Sequence, residues 1–149
     1  MSVAAAADRL ATILDLTPPQ LAALTPDDAQ RRPKAGQWAP KEILGHLIDS
    51  ASNNHQRFVR GQISPSVADP SYDQETWVAA QNYIAEPWPD LIWLWVMLNR
   101  HLLHIMRTVR EEALDTPISI RDAVPVPLSQ VMIDYVSHLE HHLAQILPS

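Results

Sequence analysis

The chain has 149 residues, 46% of them hydrophobic, and a net charge of −6 at pH 7; this length suits one domain with a sizeable core. The negative charge and the lack of a Lys/Arg cluster exclude a non-specific nucleic-acid or anionic-membrane binder. No cysteine is present, which excludes disulfides and cysteine zinc sites and suits a reducing cytoplasm. We therefore expect a single cytoplasmic domain over residues 1–149, without a nucleic-acid or membrane partner.

Proline positions predict the helices. The thirteen prolines leave five long proline-free windows, at 1–17, 41–64, 71–86, 90–116 and 128–147. Because proline disrupts a helix interior, helices are expected inside these windows. Glycine is rare and β-branched alternation is absent, so the pattern predicts an all-α chain. The chain is predicted to have four main helices and shorter helical pieces near 18–24 and 73–84, with loops at 62–72 and 115–128.

The second main helix carries three faces when residues 41–61 are placed on a helical wheel. One face is predicted core, formed by Leu44, Leu47, Ile48, Ala51 and Phe58. A second is predicted solvated surface, formed by Lys41, Glu42, Asp49, Gln56 and Arg60. The third is a polar strip of His46, Ser50, Asn53 and Arg57, and it predicts the wall of a wet internal pocket.

Arg57 is the expected anchor for a carboxylate on a substrate or thiol, because its guanidinium binds such groups in a bidentate way. Asp49 follows His46 by three residues and is interpreted as a surface residue. The alternative for His46 is a boundary histidine satisfied by water or backbone.

The third main helix, at about 90–110, is apolar on nearly every side in its first half. Its run "LIWLWVML" (91–98) is too short to span a bilayer. Such a helix is usually buried all round, and a homodimer interface would supply the second covering surface. We interpret His101 and His104 as structural or at most pocket-lining, with His101 in the core.

The last helix contains "DYVSHLEHHLAQI" (134–146), which holds three of the seven histidines. His138 and His142, one turn apart, can share one metal ion. His141 is turned toward the polar side, so we predict that it is dispensable for metal binding. No H-E-x-x-H motif is present, and Glu140 therefore has no inherited role as a general base. A purely structural pair of histidines remains the alternative.

A metal held by two histidines needs a further ligand, and His46 is the best candidate because it lies on a different long helix beside the core. Neutral imidazoles without a carboxylate suit zinc, nickel, iron(II) or copper better than magnesium or calcium.

Two stretches, "GQWAPKEILGHLIDSASNNHQRFVRGQ" (36–62) and "DYVSHLEHHLAQI", resemble the signatures of the DinB/YfiT-like superfamily. The resemblance implies an up-down four-helix bundle with short extra helices in the connections, often dimeric. It also implies a divalent metal, zinc or nickel foremost and iron next, held by His46, His138 and His142. Related branches are transferases or isomerases that use low-molecular-weight thiols.

The chain departs from the family pattern at two places. Ala39 stands where the family has a Ser or Thr helix cap, and Leu143-Ala144 replaces an Arg-Gly pair. The alanine at position 39 lacks a capping hydroxyl. The Leu143-Ala144 pair lacks the charge of the arginine that would anchor substrate.

The sequence thus predicts a metal-dependent enzyme of the thiol S-transferase type that acts on a small molecule, with a low-molecular-weight thiol as co-substrate. The alternatives are a metal-dependent hydrolase, a non-catalytic metal- or ligand-binding stress protein, and a protein that binds no metal. The pattern assigns no catalytic side chain, and a homodimer is the expected assembly.

Overall fold

Four long helices form the body of the protein. The computed structural model describes residues 1–147. The long helices are α1 (Val3–Ala22), α3 (Pro40–Ile63), α5 (Trp88–Thr108) and α6 (Leu128–Ile146). Two shorter helices, α2 (Pro26–Gln30) and α4 (Gln74–Gln81), and two 3-10 turns, Tyr83–Ala85 and Glu111–Asp115, lie in the connections. The predicted four-helix bundle with short extra helices is confirmed.

The long helices pack as a ring in which α1 contacts α5 and α6, and α3 contacts the same two helices. The helices α1 and α3 are therefore diagonal in the bundle although they follow one another among the long helices. The antiparallel pair α3 and α6 lies side by side, and this pairing brings residues of the two distant sequence signatures together.

Two adjacent prolines do not end the first helix. The expectation of a break after residue 17 and a separate piece near 18–24 is wrong, because α1 includes Pro18 and Pro19 and continues to Ala22. Tertiary contacts hold its last turn: Leu21 is fully buried, and the indole Nε1 of Trp88 donates a 2.8 Å hydrogen bond to its carbonyl. Burial and this bond offset the two backbone bonds that the prolines remove.

The two segments predicted to be loops instead contain a small sheet. Strand β1 (Val67–Asp69) pairs in parallel with β2 (Pro117–Ile120), which pairs antiparallel with β3 (Val126–Pro127). Ile118 in the middle strand is fully buried. Strands of two to four residues are too short to show alternation, and they form only because the bundle brings distant segments together.

Helix α3 lies at the centre of the packing, and every residue from 41 to 51 is buried. Three residues predicted to be solvated surface, Lys41, Glu42 and Asp49, are therefore placed wrongly by the wheel. The Lys41 ammonium donates to the carbonyl of Ile84. The connection between α4 and α5 covers this half of α3, a covering that helical periodicity alone does not reveal. Gln56 and Arg60, farther along, are exposed as expected.

The start of α3 lacks the capping hydroxyl, as expected from Ala39. The Glu42 carboxylate compensates by accepting a hydrogen bond of 3.0 Å from the Ala39 backbone N–H. It also forms a two-pronged ion pair with Arg32, at 2.9 and 3.0 Å. The hydrogen bonds from Arg32 hold the pKa of Glu42 below its usual range, against the opposing effect of burial.

Helix α5 exposes part of its apolar surface. Trp93, Leu94 and Met97 are 64%, 44% and 46% exposed, so the helix is not covered on every side within one chain. Among the helices of residues 1–147, none has the length and apolar character needed to cross a membrane.

Candidate metal centre

Three imidazoles meet between α3 and α6. His46 is fully buried, while His138 and His142 are half-buried. One ring nitrogen from each lies within 4.8 Å of the others. The three ring centroids are 4.5 to 5.2 Å apart. We call these three residues the inner cluster.

The spacing of the donor atoms suits a metal ion. The Nε2 atoms of His46 and His138 are 3.3 Å apart. A tetrahedral ion bound at about 2.0–2.1 Å places its ligand nitrogens about 3.3–3.4 Å apart. Three imidazole donors also match the open three-ligand sets that leave one position for water or substrate. The inner cluster therefore fits a divalent metal ion.

Protonation favours the same conclusion. Burial first, and then the nearby His142 and His138, lower the pKa of His46 to about 4. The pKa of His138 is also lowered to about 4, first by burial and then by His142 and His141. Both rings are neutral at physiological pH, and a neutral imidazole has the lone pair that a metal requires.

The surroundings orient two of the rings in different ways. The Nδ1 of His142 is 3.0 Å from the Oε1 of Gln145, so an Nδ1–H that donates to this amide leaves Nε2 free as a ligand atom. The ring of His46 instead packs against Trp38, with centroids 5.2 Å apart. Its Nδ1 is buried without a hydrogen-bond partner among residues 1–147. His46 is thus held by packing and His142 by a hydrogen bond.

His141 lies outside the inner cluster and is exposed. Glu140, beside it, pairs with Arg9 at 2.5 Å and has no contact with the three ligand candidates among the described hydrogen bonds. His101 and His104 are both exposed on α5, so the expectation that His101 belongs to the core is wrong. They face away because α5 turns its apolar residues, not its histidines, into the bundle.

A cavity of about 630 Å³ extends from the inner cluster. It follows α3 from His46 to Arg57, about 16 Å at the helical rise of 1.5 Å per residue. The small sheet and residues 71–75 form its roof. Its lining comprises His46, Ser50, Asn54, Arg57, Ser71, Tyr72, Asp73, Gln74, Glu75, Ile120, Arg121, Val126, Val131, Asp134, Tyr135 and His138.

The polar strip predicted on α3 lines this cavity with one change. Ser50 and Arg57 are in the lining, whereas Asn53 is not and Asn54 takes its place. At about 100° per residue, Ser50, Arg57 and Asn54 lie about 40°, 20° and 80° to one side of His46, while Asn53 lies about 20° to the other. The cavity opens toward α6 and the sheet, on the first of these sides.

Arg57 does not have a free guanidinium. Its Nε and Nη2 contact the Asp69 carboxylate at 3.1 and 3.4 Å, and the pair is largely buried. The intramolecular partner already neutralises its charge, so the structure does not favour the expected role of Arg57 as a carboxylate anchor, which stays a prediction. Asp69 comes from β1, a segment that the sequence pattern treats as a loop.

Arg121 is the guanidinium of the lining without an ion pair among the described residues. Its Nη2 donates to the carbonyl of Tyr72 at 3.2 Å, and its backbone N–H donates to the carbonyl of Asp69 at 2.8 Å. Its φ of 51° is in the left-handed region, which is uncommon for a residue other than glycine. The two hydrogen bonds hold this residue at the cavity edge.

Asp49 is buried rather than exposed. Its Oδ1 accepts hydrogen bonds from the Tyr83 hydroxyl at 2.7 Å and the Gln81 amide at 2.8 Å. Burial raises the pKa of Asp49, while the two hydrogen bonds oppose that rise. It has no contact with His46 among the described hydrogen bonds, so it does not orient that ring.

Sequence reasoning missed several lining residues, for two reasons. Asp134 and Tyr135 precede His138 by four and three residues, so extending the histidine face back by one turn would have found them. Tyr72 and Arg121 lie in segments without periodicity, and no sequence signal indicates them. The Tyr135 hydroxyl donates to Asn99 at 2.6 Å, which ties this wall to α5.

Comparisons with known proteins agree with this geometry. A model of the DinB superfamily matches residues 9–146, so the chain belongs to the DinB superfamily. A protein of Oceanobacillus iheyensis is 25% identical over 123 residues, 83% of this chain and 70% of that one. Its name suggests a metal-dependent hydrolase.

A solved structure shows the same fold. YfiT from Bacillus subtilis, described as a proposed metal-dependent hydrolase with an unusual four-helix bundle topology, matches with a TM-score of 0.81. The match covers 94% of this chain and 83% of that chain at 21% identity.

Proposed function

We propose that this member of the DinB superfamily is a metal-dependent thiol S-transferase that joins a low-molecular-weight thiol to a small polar electrophile. The observation that carries the proposal is the cavity, which ends on two of the three candidate ligands, His46 and His138. A ligand set that faces an open cavity leaves a position for a reacting molecule, as catalytic metal sites do and closed structural sites do not.

The chemistry follows from the inner cluster. A divalent ion held by His46, His138 and His142 would supply Lewis-acid chemistry, lowering the pKa of a thiol or water near it. In the transfer, the thiol sulfur bonds to the electrophilic carbon, whose bond to its leaving group breaks with the electron pair. The thiol proton passes to solvent.

The protein's own residues bind and orient the two molecules. The cavity volume of about 630 Å³ lies in the middle of the range for small-molecule sites and has room for a thiol and an electrophile together. Arg121, rather than the neutralised Arg57, takes the role of anchor for an anionic group. Ser50 supplies a hydroxyl in the wall between this anchor and the inner cluster.

Hydrolysis is the second candidate, favoured by what the names of both similar proteins suggest. The same cluster would then activate water, and the cavity would hold a single substrate. Both reactions need the three histidines, and they differ only in the nucleophile that reaches the substrate.

One experiment separates these proposals. Untagged protein loaded with zinc or with nickel is incubated with an epoxide such as styrene oxide, with and without cysteine or glutathione. Mass spectrometry then distinguishes a thioether adduct from the diol that water would form. We expect the adduct with wild type and with His141→Ala, and neither product with His142→Ala.

Background turnover across a broad panel of thiols, epoxides and esters would contradict both reactions. It would leave the metal- or ligand-binding stress protein as the better description. Arg121→Gln should raise KM for anionic substrates with little change in kcat, with Arg110→Gln, an exposed arginine outside the cavity, as the matched control.

We also propose that the chain forms a homodimer through the exposed face of α5, in a reducing cytoplasm where small thiols persist. Trp93, Leu94 and Met97 form a contiguous apolar surface of the kind that marks interaction sites. Light scattering should report a dimer for wild type and a monomer for Trp93→Glu. A monomeric wild type at micromolar concentration would contradict this part.

A further inference from the structure

Three more histidines lie together on the outer surface of the bundle. His55 on α3 is half-buried, and His101 and His104 on α5 are exposed. The ring centroids of His55 and His101 are 5.2 Å apart. Those of His101 and His104 are 6.3 Å apart, with the rings 20° from parallel. We call these residues the outer cluster.

The outer cluster is separate from the inner one. His55 follows His46 by nine residues, which is about two and a half helical turns, so it lies on the opposite side of α3 and about 14 Å farther along the axis. One ion cannot bind to both clusters. Ala51, which lies between His46 and His55 along α3, is fully buried.

One pair of rings in the outer cluster has the spacing of an inner pair, although the three outer histidines do not bring one nitrogen each within 4.8 Å of one another as the inner three do. The His55 and His101 rings are 5.2 Å apart, the separation also found for His46 and His138, whose Nε2 atoms are 3.3 Å apart. No ring nitrogen of the outer cluster is hydrogen-bonded to a side chain or backbone group of residues 1–147. The exposed rings of His101 and His104 are free to rotate toward a shared ion.

We propose that His55 and His101, with His104 as third ligand, form a second metal site that takes imidazole-preferring ions. Copper(II) should bind most tightly, followed by nickel and zinc. The cluster contains no carboxylate, so magnesium and calcium are not bound. The neighbouring Arg100 is also exposed, and its positive charge makes this site weaker than the inner one. The proposal does not depend on any enzymatic activity.

The test counts ions in untagged protein. After equilibrium dialysis against copper(II) alone, metal analysis should find two ions per chain in wild type. His138→Gln/His142→Gln removes two ligands of the inner cluster and should leave one ion. Adding His101→Gln to this variant should remove the remaining ion. Because His101 is exposed, its replacement is not expected to disturb the fold.

A matched control and a second readout locate the ion. His141→Gln changes an exposed histidine outside both clusters and should leave both ions bound. In the His138→Gln/His142→Gln variant, copper(II) should broaden the NMR amide signals of residues 52–58 and 98–107. One ion in wild type, or a second ion that survives both His55→Gln and His101→Gln, would overturn the proposal.

Discussion

The inner and outer clusters use the same donors on the same central helix, yet their surroundings are opposite. His46 is fully buried against Trp38, and its neighbours on α6 are half-buried. The outer cluster is mostly exposed, and its ring nitrogens have no hydrogen-bond partner among residues 1–147. The two clusters therefore differ less in their histidines than in the residues that hold those histidines. Burial keeps the rings of His46 and His138 neutral, and a cavity adjoins the inner cluster.

The largest effect is expected when a ligand of the inner cluster is removed. His46→Gln or His142→Gln should weaken zinc binding at the inner cluster. The loss should exceed the roughly 10–100-fold that removing a hydrogen-bond partner of a metal ligand costs. Competition with a chromophoric chelator would measure the zinc affinity of each variant. Equal weakening by His141→Gln would show that the inner cluster is not a defined site.

Removing the metal tests how strongly the inner cluster couples to folding. Ligand at 1,000 times its Kd stabilises a fold by about 4 kcal/mol, which corresponds to roughly 10 °C in Tm for a chain of this size. Calorimetry before and after chelation should show this loss in wild type. The His101→Gln variant should lose as much, since the exposed cluster contributes little. An unchanged Tm in wild type would mean that its metal is not bound at the buried site.

A smaller effect should follow from loosening one inner ring. Gln145→Ala removes the amide that contacts the Nδ1 of His142, and zinc affinity should fall by about 10–100-fold. Gln130→Ala is the matched control, because Gln130 lies on the same helix and bonds to Asp134 instead. Equal affinity in both variants would show that packing alone orients the inner rings.

The smallest effect concerns the helix start that positions His46. Glu42 lies one turn before His46, and Glu42→Ala should cost about 1 kcal/mol, as the loss of a helix cap does. The pKa of Glu42 is lowered in the fold, so its stabilisation is present above the ordinary value of 4.5 and is lost as the pH falls through the folded pKa.

Urea unfolding of wild type and Glu42→Ala at pH 7 and pH 3 would measure this effect. The difference between the two proteins should shrink at the lower pH. The exposed Glu75→Ala gives the control, and a difference that is the same at both pH values would contradict the role assigned to this carboxylate.

Much of the site follows from helical geometry. A spacing of four residues places His138 and His142 on one face, and a polar strip beside the apolar face of α3 marks His46 and Ser50. The wheel fails where other segments cover the helix. Asp49 appears solvated because periodicity cannot show that Tyr83 and Gln81 lie over it.

Proline positions therefore determined the four helices, and local periodicity determined the faces that bring three histidines together, because a helix repeats every 3.6 residues whatever it packs against. Tertiary structure decided the rest. It joined two short segments into a sheet, paired Asp69 with Arg57, and left Arg121 without an ion pair among residues 1–147. These features depend on contacts between residues far apart in the chain, and the sequence of each segment alone contains no trace of its partner.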